Sequence, residues 1–308
     1  MILEKSNLIT SSVPYRSGVV TILGAPNVGK STLLNQLLQQ KIAIVTPKAQ
    51  TTRNRIMGIV TGPDFQILLL DTPGLHAAKE EINRRMVKIA MASLAEADAV
   101  LFLVDCSSWN HDKRIQKAEE YSGYLQGVTK PVVLALNKCD LIPQPQLLPI
   151  MDWCRTLHPF TSVVPISALS GEGVDRLLTE LVVLLPEGPQ YYPEEFLTDA
   201  TERFIAAEII REKIFLLIRK EVPYSTAVII DSFEEGAPVV IRATILVERD
   251  SQKGILVGRK GGMLAAIRQS SATEIARLLD REVRLHLWVK VSRDWTKNTG
   301  ILRDLGLA

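Results

Sequence analysis

The sequence predicts two domains: an α/β domain with a mostly parallel sheet and helices on both faces, and then a smaller α+β domain. Apolar strands alternate with helical segments over residues 17–185, as βαβ units on a parallel sheet do. A phosphate-binding motif, G-x-x-x-x-G-K-S, follows the first strand at residues 24–31. Three prolines in residues 186–193 cannot continue a helix and end the first domain. We therefore predict an N-terminal extension at 1–16, a first domain at 17–185, a linker at 186–200, and a second domain with the C-terminal tail at 201–308.

The composition is typical of a soluble globular protein, with 308 residues of which 46% are hydrophobic and 23% charged. The net charge is only +2, but residues 201–308 hold 18 Lys and Arg against 14 Asp and Glu, so the positive charge lies in the C-terminal third. The three cysteines have no C-x-x-C spacing, which argues against a disulfide framework or a zinc site. The chain has neither a long apolar run nor the basic-apolar start of a signal peptide, so we predict a cytoplasmic location.

The motif at residues 24–31 is predicted to bind nucleotide phosphates. It lies between an apolar strand ending at Leu23 and a segment with helical spacing that begins at Ser31. Glycines let backbone N–H groups face phosphate oxygens, and the helix N-terminus adds partial positive charge. We expect Lys30 to reach the β- and γ-phosphates and Ser31 to ligate Mg²⁺. The predicted phosphate-binding residues are Gly24, Ala25, Pro26, Asn27, Val28, Gly29, Lys30, Ser31 and Thr32.

An acidic motif follows a predicted β-hairpin. Apolar runs at 56–60 and 65–70 flank a Thr-Gly-Pro-Asp turn, and the polar stretch 46–55 before them is predicted to be a loop. An acidic residue that ends a strand after a P-loop is placed to hold Mg²⁺, directly or through water, and a following glycine N–H can approach the γ-phosphate. This second predicted nucleotide-binding group is Asp71, Thr72, Pro73, Gly74 and Leu75. The candidate metal ligands are Ser31, Asp71 and one of Thr51 and Thr52, with Thr52 preferred.

Two loops at the ends of later strands are predicted to bind the base. The carboxylate of Asp140, in the motif N-K-x-D, can accept hydrogen bonds from both the N1–H and the N2 amine of guanine. Adenine offers neither donor and would leave the carboxylate unpaired, which costs about 1–3 kcal/mol. The motif therefore predicts GTP and GDP as ligands, and the backbone of Ser167-Ala168 can add a contact to the guanine oxygen. The predicted base-binding residues are Asn137, Lys138, Asp140, Ser167, Ala168 and Leu169.

The second domain carries a Gly-x-x-Gly turn with basic middle residues. Such turns are typical of KH domains, in which they hold about four nucleotides of single-stranded nucleic acid. An ordinary turn at the start of a helix has the same pattern, and the nearby basic residues favour the KH interpretation. The predicted elements are a helix at 202–219, strands at 225–233 and 239–248, a helix at 263–279 and a strand at 283–291. The predicted RNA-binding residues are Gly258, Arg259, Lys260, Gly261, Lys253 and Arg268.

The last predicted strand alternates between two faces. Its apolar residues at 285, 287, 289 and 291 fall on one side, and His286, Trp288 and Lys290 fall on the other. Because tryptophan is usually largely buried, we expect Trp288 to be a partly covered packing residue rather than a platform for stacking a base.

The ordered motifs G-x-x-x-x-G-K-S, Q-T-T-R, D-T-P-G, N-K-x-D and S-A-L resemble those of translation-factor-like GTPases, and segments at 48–53, 71–79 and 83–86 resemble the bacterial Era family in particular. The resemblance runs from about residue 17 to the end. It implies a GTPase domain followed by a type II KH domain that binds the 3′ end of small-subunit ribosomal RNA and assists assembly of the small ribosomal subunit. It also implies a monomer with peripheral contact at the inner face of the cell membrane. One departure is Ala265, where family members commonly carry a lysine; Arg268 is the nearest substitute.

The residues predicted to act in hydrolysis are Lys30, Asn27, Thr52 and Gly74. Ras-type GTPases have a glutamine after D-x-x-G that orients the attacking water, and this chain has Leu75 there. We expect K⁺ to replace it, bound by the Asn27 amide and the backbone near Thr51 and Thr52, as in the potassium-dependent GTPases that this P-loop resembles. Asn27 could instead only brace the loop. Two rival functions stay open: another RNA-linked GTPase, and a scaffold that binds nucleotide without turnover.

Overall fold

In the described residues, the first domain has a six-stranded sheet flanked by helices. The computed structural model describes residues 14–46, 51–74, 81–108, 114–218 and 221–306. The strands are β1 (Arg16–Leu23), β2 (Ile56–Thr61), β3 (Phe65–Asp71), β4 (Ala99–Asp105), β5 (Val132–Asn137) and β6 (Ser162–Pro165). The helices are α1 (Lys30–Leu38), α2 (Glu81–Glu96), α3 (Arg114–Leu125), α4 (Leu147–Arg155) and α5 (Val174–Val182). The strand order is β2-β3-β1-β4-β5-β6, with β2 antiparallel to β3 and the other pairs parallel.

The parallel strands place the predicted nucleotide-binding loops at one edge of the sheet. The central strands are almost continuous apolar runs because helices cover both of their faces; every residue of β5 is buried. Since β1, β3, β4, β5 and β6 run in the same direction, the loops that follow them meet at their carboxyl ends. Open α/β sheets bind ligands at this edge. The predicted fold class of the first domain is confirmed.

The second domain has a three-stranded sheet with its longest helices on one face. Its elements are α6 (Glu202–Leu217), β7 (Ala227–Glu234), β8 (Val239–Val247), α7 (Asp250–Val257), α8 (Gly262–Leu279), β9 (Val283–Val291) and α9 (Thr299–Asp304). The order is β7-β8-β9, with β7 antiparallel and β9 parallel to β8. Leu285 and Leu287 of β9 share a core with Ile267 and Ile275 of α8. Trp288 is partly covered: half of its surface is exposed, and its ring stacks on His286.

Helices α2, α7 and α9 were not predicted from the sequence. Helix α2 packs on β1, and Thr21 Oγ1 donates to the Ser93 carbonyl at 2.8 Å. Helix α7 stands where we expected a turn directly after the second strand. Gln252 Oε1 caps it by accepting from the N–H groups of Glu248 and Arg249, at 2.9 and 3.0 Å. No helix in the described ranges combines the length and the apolar character needed to cross a membrane.

The linker is bound to the edge of the first sheet. The Ile59 N–H donates to the Leu197 carbonyl at 2.8 Å, next to the edge strand β2. Gln66 Oε1 accepts from the N–H groups of Tyr191 and Tyr192 at 2.8 and 2.9 Å, and its Nε2 donates to the Tyr192 carbonyl. Prolines predict only that a helix stops, whereas the unpaired groups of an edge strand explain why the linker docks there.

Candidate functional site

The P-loop curls around the N-terminus of α1. Asn27 and Gly29 have left-handed backbone conformations, with φ of 62° and 103°, and the helix begins at Lys30. A Cβ atom at Gly29 would lie 2.2 Å from Nδ2 of Asn137, so only glycine lets the base-binding loop approach this closely. Among the described residues, no side chain caps the first turn of the helix. Its N–H groups therefore remain available to an anion, as is typical of phosphate sites at helix N-termini.

Lys30 is buried inside the P-loop. Its Nζ donates to the carbonyls of Gly24 and Ala25, at 3.1 and 3.0 Å. Burial lowers the pKa of Lys30 to about 8, and the nearby carboxylate of Asp71 opposes this shift. A phosphate would give the ammonium group an anionic partner, and such charge-assisted bonds are stronger than bonds to neutral carbonyls. The side chain is thus held where a phosphate contact requires it.

Three side-chain oxygens meet beside Lys30. Ser31 Oγ donates to Asp71 Oδ2 at 2.6 Å and lies 2.9 Å from Thr52 Oγ1. Burial raises the pKa of Asp71 to about 6, although Lys30 and the hydrogen bonds from Ser31 and Thr52 act in the opposite direction. Asp71 Oδ1 is buried and has no hydrogen-bond partner in the described part of the chain. A buried carboxylate oxygen of this kind is stabilised by a cation.

The two candidate threonines have different partners. Thr52 faces Ser31, whereas Thr51 Oγ1 lies 2.7 Å from Thr46 Oγ1. The geometry therefore favours Thr52 over Thr51 as a metal ligand. A small cavity of about 50 Å³ lies next to Thr52, and among its lining residues are all four that the sequence suggested for hydrolysis, Asn27, Lys30, Thr52 and Gly74. Leu75 lies outside the described residues.

Asn137 joins the loops at the base-binding end. Its Nδ2 donates to the Val28 carbonyl at 2.7 Å, and its Oδ1 accepts from the Ala168 N–H at 2.9 Å. Both bonds are buried, so this side chain aligns the P-loop with the loop after β6. The Ala168 N–H is engaged by Asn137, and a backbone contact from Ser167-Ala168 to the guanine oxygen stays a prediction. Leu169 is 80% exposed and offers apolar surface beside it.

Lys138 is held by a residue that sequence reasoning missed. Its Nζ pairs with Asp105 Oδ2 at 2.6 Å and donates to the Asn27 carbonyl at 3.1 Å. Asp105 ends β4 at the same edge of the sheet, and this position at the end of a parallel strand was the signal that could have identified it. Asp140, two residues after Lys138 in the motif N-K-x-D, is exposed to solvent, where a base can reach it.

The Gly-x-x-Gly turn is exposed between α7 and α8. Gly258 has a φ of 72°, and a Cβ there would lie 2.6 Å from Cβ of Met263, so a side chain would both strain and crowd the turn. Arg259 and Lys260 are exposed in the turn. The remaining predicted RNA-binding cations, Lys253 on α7 and Arg268 on α8, are also exposed.

Comparison with known proteins identifies the family. Residues 19–138 match the family model described as 50S ribosome-binding GTPase, and residues 221–296 match the KH domain model. The chain is 49% identical to GTPase Era of Geobacter metallireducens, over 96% of this chain and 99% of that protein. It is 47% identical to GTPase Era of Lacticaseibacillus paracasei, over 95% and 97% of the two chains. This chain belongs to the Era GTPase family.

Solved Era structures match both domains together. A crystal structure of Era in complex with MgGDPNP and nucleotides 1506–1542 of 16S ribosomal RNA matches with a TM-score of 0.90 at 42% identity, covering 96% of this chain and 99% of that one. A variant of Aquifex aeolicus Era bound to GDP·AlF4⁻ matches with a TM-score of 0.90 at 41% identity, covering 95% and 99%. The predictions of a GTPase domain, of a KH domain and of the Era family are confirmed.

In this Era-family chain, residues 51–53 bridge the two domains. The Thr51 carbonyl accepts a hydrogen bond from Nη2 of Arg211 in α6. Arg53 donates from Nη1 to the Thr226 carbonyl at 2.7 Å and from Nη2 to the Tyr224 carbonyl at 2.6 Å. Thr52, between them, faces Ser31 and Asp71. The residue at the candidate metal site is therefore flanked on both sides by contacts with the KH domain.

Helix α6 also holds the other end of the same loop. Glu212, the residue after Arg211, accepts from the Val45 N–H at 2.9 Å and pairs with Lys41 at 2.7 Å. Sequence reasoning missed Arg53, Arg211 and Glu212. The signal for the last two was the presence of charged residues within the apolar part of α6, which the structure shows to be buried.

Proposed function

We propose that this Era-family chain is a GTP-operated switch that binds the 3′ end of small-subunit ribosomal RNA and assists assembly of the small ribosomal subunit. The observation that carries the proposal is the match at a TM-score of 0.90, across both domains, to an Era structure with MgGDPNP and a 16S RNA segment. A cytoplasmic location, a monomeric state and peripheral membrane contact stay predictions.

Crosslinking to RNA in cells, followed by sequencing, tests this proposal. We expect the reads to concentrate at the 3′ end of the small-subunit RNA; a concentration on transfer RNA would instead favour the rival RNA-linked GTPase. Single-turnover hydrolysis of GTP by the purified chain separates a switch from a scaffold that binds nucleotide without turnover.

The oxygens beside Lys30 fit Mg²⁺. This ion prefers hard oxygen ligands and keeps several of its waters. Ser31 Oγ and Thr52 Oγ1 lie 2.9 Å apart, and the unpaired Oδ1 of Asp71 is beside them. We assign Ser31 and Thr52 as ligands and Asp71 as a direct or water-mediated one. When bound with nucleotide, the ion neutralises charge on the β- and γ-phosphates.

Hydrolysis in such a site depends on positioning and on stabilisation of developing charge. Lys30 supplies one positive charge, and Gly74 lines the same cavity. Leu75 has no group that could orient water, so a further contribution is needed. We propose K⁺ as this contribution, with the Asn27 amide oxygen at the mouth of the P-loop as one ligand.

Hydrolysis is expected to be faster in KCl than in NaCl at equal ionic strength, and this difference should disappear when Asn27 is replaced by glycine. Glycine is the cleanest replacement because Asn27 has a φ of 62°, a conformation that costs alanine about 1 kcal/mol. Single-turnover rates in the two salts are the measurement, and GDP binding should be retained. Equal rates of wild-type hydrolysis in KCl and NaCl would show that K⁺ takes no part in the mechanism. A difference between the salts that persists in Asn27→Gly would show that K⁺ binds elsewhere.

The contacts of residues 51–53 also lead us to propose that the nucleotide state controls RNA affinity. Switch loops held by the γ-phosphate relax after hydrolysis. Here the loop is bonded to α6, α6 packs on α8, and α8 begins at the Gly-x-x-Gly turn. A change at Thr52 therefore acts on the helix that supports the RNA-binding turn.

The GTP-analogue and GDP forms are expected to differ in RNA affinity by about 5- to 150-fold, and RNA should shift nucleotide affinity by the same factor. Replacing Glu208 by Gln and Arg211 by Met together should bring this ratio toward one. The double variant removes the bond to the Thr51 carbonyl and neutralises both members of the Glu208–Arg211 ion pair, so neither is left without the other. RNA titrations in both nucleotide states are the measurement. Arg203→Met, at an exposed position of the same helix, is the control; an unchanged ratio in the double variant would show that coupling takes another route.

A further inference from the structure

One face of β9 is exposed and carries an aromatic pair. Leu285 and Leu287 point into the core with α8, so His286 and Trp288 lie on the opposite side of the sheet. Trp288 is 50% exposed. Its ring centroid lies 6.1 Å from that of His286, with 23° between the ring planes. The indole is therefore oriented by a neighbour and still presents open ring surface to solvent.

Two cations flank this pair on the same face. Arg284 and Lys290 are exposed and form no ion pair within the described residues. On the neighbouring strands the charged groups have partners: Glu234 pairs with Arg242, and Asp231 accepts from Thr244 Oγ1 at 2.8 Å. The edge strand β9 therefore presents positive charge on both sides of an exposed tryptophan. We call these four residues, Arg284, His286, Trp288 and Lys290, the β9 platform.

The Gly-x-x-Gly turn and the carboxyl end of the β9 platform lie at the same end of the domain, on opposite faces of the sheet. Helix α8 has 18 residues and is about 27 Å long, and β9 has 9 residues and is about 30 Å long. The two elements pack together and are joined by a short turn at 280–282, so they run in opposite directions. The start of α8, where the turn lies, is consequently close to the end of β9, where Lys290 and Trp288 lie. Because β9 is an edge strand, RNA held at the turn can pass around this edge to the platform on the other face.

We propose that the β9 platform is a second contact for single-stranded RNA, which extends the RNA held by the Gly-x-x-Gly turn; this rests on the proposed function. An unpaired base stacks on Trp288, and Arg284 and Lys290 bind phosphates on either side of it. Alternation of an aromatic ring with cations is typical of sites that bind single strands without reading sequence. A protein partner is the less favoured occupant, because lysine, present here as Lys290, is depleted from protein interfaces.

The experiment compares RNA lengths. A KH turn holds about four nucleotides, so tetranucleotides probe the turn alone, and a fragment covering the 3′ end of small-subunit RNA probes the turn and the platform together. Replacing Trp288 by Ala should weaken binding of the long fragment by roughly 5- to 150-fold, the range for one base stacked on an aromatic side chain. Binding of tetranucleotides should be unchanged, and Trp288→Phe should restore most of the affinity for the long fragment.

Two further variants sharpen the test. Replacing Arg284 and Lys290 together by Gln should weaken binding of the long fragment. It should also make the plot of log affinity against log salt less steep, by about 0.7 for each phosphate that is no longer neutralised. Phe196→Ala removes an aromatic side chain of similar exposure, 47%, from the linker and should bind both RNAs like wild type.

The outcomes separate the platform from the proposed function. If the wild-type chain binds neither RNA, the proposed function fails. If the wild-type chain binds the long fragment and Trp288→Ala binds it equally well, the proposal that the β9 platform contacts RNA is wrong. Trp288→Ala could also lose binding to small ribosomal subunits while it binds the long fragment like wild type. This result would show that the β9 platform contacts a protein, and it would also overturn the proposal.

Discussion

Replacing Asp140 by asparagine is expected to lower the affinity for GDP at least about 100-fold and to make xanthosine diphosphate the better ligand. Hydrogen bonds to a charged group contribute about 1.5–3 kcal/mol each, and guanine loses two of them when the carboxylate is removed. The amide also places an N–H donor against the N2 amine of guanine. Xanthine has a carbonyl at the same position and accepts from that donor.

Competition of the two diphosphates against a fluorescent nucleotide measures this change. Asp152→Asn, at an exposed position on α4, carries the same chemical change away from the site and should leave nucleotide choice unaltered. The loop that carries Asp140 is held by backbone bonds, including that from the Cys139 N–H to the Ile166 carbonyl at 3.1 Å, so the variant is expected to fold. A preference for GDP that survives in Asp140→Asn would show that the base is read by other residues.

Replacing Gly258 by aspartate is expected to weaken single-stranded RNA binding at least tenfold, about 1.4 kcal/mol, while intrinsic GTP hydrolysis is retained. Gly258 has a φ of 72°, and its missing Cβ would lie 2.6 Å from Met263, so the turn must change shape to accept any side chain. The new carboxylate also repels phosphates that approach the turn. The nucleotide site lies in the other domain and is not touched.

A matched control is available one helical turn earlier. Gly254 is exposed on α7, and a Cβ there would have no heavy atom within 4 Å, so Gly254→Asp adds the same charge without the steric change. It should weaken RNA binding much less than Gly258→Asp. Wild-type binding should also weaken as salt rises, because RNA releases counterions when cations bind its phosphates. Equal RNA affinity of wild type and Gly258→Asp would place the RNA site elsewhere.

Much of the nucleotide site was predictable because its residues act in short segments. The P-loop, Asp71 and Asp140 each follow an apolar strand, and parallel strands bring such segments to one edge of a sheet. The roles within the segments were less predictable. The part that Asn137 plays as a buried link between two loops was not predicted, because its two partners, Val28 and Ala168, come from distant parts of the chain.

In the second domain, too, some features could be predicted from the sequence and others could not. Alternation along β9 correctly predicted which residues share a face. It did not predict that Trp288 stays half exposed, because burial depends on what covers a face, and the long helices cover only the other face of β9. Helix α7 was missed because its last residues, Ile255, Leu256 and Val257, have the composition of a strand, and tertiary packing overrode that preference.

The sequence by itself determined the order of the two domains, the preference for guanine nucleotides and the basic turn for RNA, because each depends on residue types at close spacing. Only the tertiary structure decided how the domains are connected at the nucleotide site. Arg211 and Thr51 are 160 positions apart, and Arg211 bonds a backbone carbonyl, which every residue carries and no side-chain pattern marks. The same is true of Arg53, whose two acceptors are the carbonyls of Tyr224 and Thr226. Such contacts arise only when the folded domains place a buried guanidinium against backbone that needs a donor.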